Sequence, residues 1–119
     1  MAMEPTDNSQ YVIMNIASGT VIDLNGGEAF NGNICQGWQP DFINGNPNQV
    51  WQLKLAFKDS STTWYRMVNP RTGLCIELHA SDTSNGVQVE VFAVADGKDT
   101  QLWRFEMDSS SGLAPQWYT

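Results

Sequence analysis

Four side chains in the first half of the chain have the types and spacing of a ligand pocket: Asp23, Gln36, Trp38 and Asn48. The carboxylate is a strong acceptor, the two amides donate and accept, and the indole presents a flat apolar face. Gln49 and Trp51 follow Asn48, and Gly26-Gly27 lies just past Asp23, where glycine lets a backbone donor come close to a ligand. From Val21 to Trp51 there is no Lys, Arg or His. Such a set suits a neutral, polyhydroxylated ligand better than an anion or a reacting group.

Catalysis is a poorer match. Glycoside hydrolysis needs two carboxylates about 5–9.5 Å apart across a cleft, and Asp23 and Glu28 fall at one hairpin. No Ser/His/Asp or Cys/His set has credible spacing. The one histidine, His79, has no Cys or carboxylate at ligand spacing. The residues therefore predict a binding protein and not an enzyme, with no metal and no cofactor.

The elements that must position these groups are short and β-rich. Runs at 11–16, 20–24, 33–38, 49–57, 64–68, 74–78, 87–92 and 101–107 read as strands, separated by turn dipeptides such as Asn25-Gly26, Asn31-Gly32, Asn44-Gly45, Asn85-Gly86 and Asp96-Gly97. The class is all-β. Alternation puts Ile22 and Leu24 on one face and Asp23 on the other, while Gln36 and Trp38 share a face opposite Cys35. A hairpin of these two runs sets Asp23 and Trp38 on the same outer side.

An internal repeat organises the chain. Tyr11 falls opposite Tyr65, and the same offset pairs Asn15 with Asn69, Ser18-Gly19 with Thr72-Gly73, Ile22 with Ile76, Leu24 with Leu78 and Trp38 with Phe92. After a longer loop in the first copy, Gln49-Val50-Trp51 meets Gln101-Leu102-Trp103. The reading is a single domain over 1–119, with repeats at about 9–57 and 63–107 and a tail at 108–119. In the second copy Glu77, Glu90, Phe92 and Thr100 replace Asp23, Gln36, Trp38 and Asn48, so that copy is expected to be weak or silent. Cys35 and Cys75 each face a valine in the other copy, which fits small apolar packing better than a disulfide. Met14, Met67 and Met107 read as core filler, and Tyr11 and Tyr65 as structural.

The paired Gln-x-Trp elements, with Ile22-Asp23-Leu24 and Gln36-Gly37-Trp38, resemble the ricin B-type β-trefoil lectins. The run NIASGTVIDLNGG is similar to the fungal members, and the resemblance covers roughly residues 9–107. It implies non-catalytic binding of galactose or N-acetylgalactosamine. Carried over, Asp23 accepts from adjacent sugar hydroxyls, Trp38 stacks on the C–H face of the ring, Asn48 donates to a hydroxyl, and Gln36 orients or lines the site. The backbone near Gly26 and Gly27 adds a donor, and Gln49 buttresses the site from beside it.

A β-trefoil has three repeats and two are evident here, so an uncovered apolar flank is expected to drive homo-oligomerisation, a dimer being favoured over a trimer. The net charge of −7, with no Lys or Arg in the first 50 residues, argues against nucleic acid and anionic membranes as partners. No run is long enough to insert in a bilayer. The absence of a signal-peptide pattern points to the cytoplasm, or to secretion without a visible signal peptide. The rival function is protease inhibition through the loop Gln39–Asn48, which contains Asp41, Phe42 and Pro47.

Overall fold

A computed structural model describes residues 5–41 and 43–105. Phe42, Met107 and the tail lie outside the described residues. Seven strands form: β1 (Gln10–Tyr11), β2 (Val21–Leu24), β3 (Cys35–Trp38), β4 (Trp51–Lys58), β5 (Thr63–Val68), β6 (Leu74–Leu78) and β7 (Val89–Ala93). The order β1-β4-β5-β6-β7 makes one antiparallel sheet, and β2-β3 makes a separate hairpin. A bridge between Ile34 and Glu90 links the hairpin to β7. Among the described residues the helical elements are 3-10 turns, at Asn25–Gly27, Pro47–Gln49, His79–Ser81 and Asp99–Gln101. The all-β expectation holds.

The repeat is visible at the level of single hydrogen bonds. Gly19 N donates to Asn15 O and Gly73 N to Asn69 O, both at 2.8 Å. The Trp51 indole donates to Ile22 O at 3.0 Å and the Trp103 indole to Ile76 O at 3.1 Å. Tyr11 pairs with Trp51 as Tyr65 does with Trp103. Each copy thus closes by bringing its last tryptophan back onto its first tyrosine. The core contains Leu24, Trp51, Leu53, Tyr65, Met67, Ile76 and Val91. Strand alternation drives these inward, and each buried aliphatic side chain contributes about 1.5–3 kcal/mol of transfer free energy.

Several predicted strands start one or two residues late, and two runs change more. The run 11–16 divides between two partners: residues 10–11 pair with β4, whereas Ile13 and Met14 turn to Ile22 and Val21. Asn15 then ends it, its side chain accepting from the Ala17 and Ser18 amides. The run starting at Gln101 begins in a 3-10 turn and shows one rung, at Trp103. Both cysteines are free thiols.

Candidate functional site

The hairpin β2-β3 is the floor of the pocket. Its register sets Asp23 opposite Gln36 and Val21 opposite Trp38. These four side chains share one face, and Ile22, Leu24 and Cys35 turn to the core. Asp23 is deeper than a solvent-facing patch requires, at 4% exposed. Its two oxygens each accept an amide, Gln36 Nε2 at 3.2 Å and Gln49 Nε2 at 3.0 Å. A carboxylate has about four acceptor positions, so these bonds orient it and still leave capacity for a ligand hydroxyl. Asp23 accepts side-chain amides from across the fold and does not serve as a local turn cap.

Gln49 is committed to the protein. Besides Asp23 it donates to Gln39 O at 2.9 Å, and its carbonyl oxygen accepts from Asp41 N at 3.1 Å. It staples the loop after β3 onto the carboxylate, which makes it a positioning residue. Trp38, at the outer end of β3, is 57% exposed and stands clear of the core. The exposed indole lies on the same hairpin face as the amide-held carboxylate.

The opposite wall is the turn Pro47–Gln49. Asn46 caps it by accepting from Asn48 N at 3.0 Å, with Pro47 at its first position. The turn packs on Gly26-Gly27, whose φ angles of 65° and 66° lie in the left-handed region. A Cβ on Gly27 would collide with the Asn48 side chain. In the second copy Ala80 and Ser81 take the same left-handed turn, and the shorter Thr100 replaces Asn48. Where Asn48 packs on Gly27, Thr100 Oγ1 donates to Ser81 Oγ at 3.5 Å.

Two contributors are not legible in the first repeat. Arg71, from the second copy, brings Nη1 to 3.5 Å from Asn48 Oδ1. Asn69 Nδ2 donates to Pro47 O at 2.8 Å and Val50 O at 3.2 Å, holding the Asn48 turn from behind. Both come from a turn distant in sequence, and Arg71 aligns with Ala17, so the repeat gives no signal for it. Asn46-Pro47, by contrast, is a readable helix-start signature. Behind the floor, Cys35 is a neutral thiol: burial, and then the Asp23 and Glu90 carboxylates, push it up to about 12. It backs the pocket without chemistry of its own.

The second copy repeats the Gln49 contacts. Gln101 Nε2 donates to Glu77 Oε1 at 3.0 Å and to Ala93 O at 2.8 Å, and Gln101 Oε1 accepts from Ala95 N at 3.0 Å. The aromatic position differs: the Lys98 ammonium lies over the Phe92 ring. Glu90, where Gln36 stood, engages His79. Among the described residues no cluster of His, Cys, Asp and Glu could hold a metal ion.

The designed three-fold symmetric protein ThreeFoil shares this fold, with a TM-score of 0.69 and 24% identity over 80% of this chain. A mosquitocidal holotoxin matches at TM-score 0.69 and 25% identity, over 91% of this chain and 12% of its own. The Polyporus squamosus lectin, solved bound to Neu5Aca2-6Galb1-4GlcNAc, matches at 0.66 and 16%, over 90% of this chain and 36% of its own. The chain spans 62% of the length of ThreeFoil and smaller shares of the other two. No match was found among curated proteins. A family model described as ricin-type beta-trefoil lectin domain-like matches residues 2–92. With that match covering most of the sequence and the trefoil neighbours agreeing in fold, the chain belongs to the ricin-type β-trefoil lectin domain-like family.

Proposed function

We propose that this chain binds neutral glycans ending in galactose or N-acetylgalactosamine, without catalysis, through the first-copy pocket. The observation that carries the reading is the Asp23 carboxylate, fixed by two amides on the hairpin face that also bears the exposed Trp38. A pyranose has vicinal hydroxyls to donate to such a carboxylate and a C–H face to lay on such an indole. Asn48 supplies a further amide from the facing turn, seated in the space a Gly27 side chain would fill, and the Gly26-Gly27 backbone beside it offers a further donor. Membership of a lectin-domain family supports the carbohydrate class.

A glycan array followed by calorimetry on the unsubstituted protein and Asp23→Ala tests the reading. Losing a charge-assisted acceptor weakens sugar binding by about 1.5–3 kcal/mol, roughly ten-fold to a hundred-fold in Kd. Circular dichroism checks that the variant is folded, since Asp23 also anchors Gln36 and Gln49. Equal binding by both proteins removes the site assignment, and no binding by either removes the function. The fully exposed Ile43 in the loop after β3 favours the rival inhibitor reading. Assays against serine and cysteine proteases address it.

We also infer that chains associate, with a dimer as the expected form. A cleft beside β2, lined by Ile13, Met14, Ile22, Cys35 and Val89, supports this, as does exposed Ile16 at its margin.

A further inference from the structure

The second pocket has the frame of the first and is filled from within. Glu77 is 1% exposed on its floor, stapled by Gln101. The Lys98 ammonium lies 2.9 Å from Glu77 Oε2 and 3.0 Å from Oε1. It also sits 4.2 Å from the centroid of the Phe92 ring. Glu90, the register partner of Glu77, turns to His79 Nδ1 at 2.6 Å and leaves Lys98 to Glu77.

We propose that this pocket is a site for a primary ammonium group and that Lys98 is its resident ligand. A buried carboxylate below and an aromatic face beside it are what recognise such a cation, the first by charge-assisted hydrogen bonds and the second through the ring quadrupole. The occupant is delivered by a short turn, closed by Gln101 N donating to Lys98 O at 3.0 Å. In the first copy the position aligned with Lys98 is Asn46, whose side chain caps its own turn. The two pockets therefore differ in occupant more than in architecture. One is open to a neutral ligand, and the other holds a charge that belongs to the chain. With Lys98 removed, Glu77 is left buried without a counter-ion and must recruit a cation or take up a proton.

Chemical rescue tests this directly. Lys98→Ala vacates a space the size of n-propylammonium. The variant is expected to melt below the unsubstituted protein, and n-propylammonium chloride is expected to raise its melting temperature saturably. Sodium chloride and tetramethylammonium chloride, which lack N–H donors, produce no such recovery. The unsubstituted protein does not respond, because its site is full. An equal response in both proteins, or none in the variant, overturns the proposal. If Lys98→Ala does not fold, the unsubstituted protein decides by proton NMR. The Lys98 ε-methylene resonance must be shifted upfield by the Phe92 ring and return toward its ordinary position in Phe92→Leu; an unshifted resonance overturns the proposal. Neither readout involves a glycan, so the saccharide reading of the first pocket stands or falls separately.

Discussion

Gly27 and Asn48 show how single residues set the pocket. The glycine's left-handed φ is unfavourable for a residue with a Cβ, and the missing Cβ leaves the space that Asn48 occupies. Gly27→Ala is therefore expected to lose stability, by upwards of about 1 kcal/mol, and to lose sugar affinity as Asn48 is pushed aside. Calorimetry and a urea melt on the same preparation separate the two effects; unchanged affinity would show that Asn48 is not a ligand contact. Much of this scale is legible in the sequence. Asp23, Gln36, Trp38 and Asn48 stand out because the other copy replaces each of them. The burial of Asp23 is not, since alternation assigns a face without saying what will cover it. Here the cover is Gln49 and the loop after β3.

Among the elements, the β4-β5 hairpin carries its own pH-sensitive turn. Asp59 Oδ1 accepts from the Ser61 and Thr62 amides, each at 2.8 Å, and from both hydroxyls. These bonds, the Ser61 amide first, hold its carboxyl down at about 2 against the ordinary 3.8. Because the folded value is the lower one, the turn's contribution is complete above about pH 4 and is lost as pH falls through 3.8 toward 2. A carboxyl-carbon NMR titration is expected to place Asp59 near 2, with Ser61 and Thr62 amide exchange quickening over the same range. A midpoint at the ordinary value would mean that the turn is open in solution. Strand positions follow from the repeat and the turn dipeptides, because both copies must satisfy the same pattern. The division of the 11–16 run between β4 and β2 does not follow, because a period of two records faces and carries no record of which neighbour a strand will leave.

For the whole molecule, the prediction is stoichiometry. If chains cover the cleft beside β2 by pairing, light scattering coupled to size exclusion gives a dimer mass at micromolar concentration. Ile13→Asp, on the cleft, is expected to shift it to the monomer, while Lys58→Ala, exposed at the hairpin tip, leaves it alone. A monomer in the unsubstituted protein would sink the pairing. Association also bears on the proposed function: if each chain offers one weak sugar site, joining chains raises avidity without any new contact.

The Asn48 turn is strapped from behind by Asn69 and touched by Arg71, both from the second copy. A gene fragment encoding only the first copy would retain Asp23, Gln36, Trp38 and Asn48 yet lack the groups that hold one wall in place. The duplicate whose own pocket is closed is thus a structural guardian of its twin's. Substituting Asn69 or Arg71 is therefore expected to surface as weakened recognition at the proposed site in the other half.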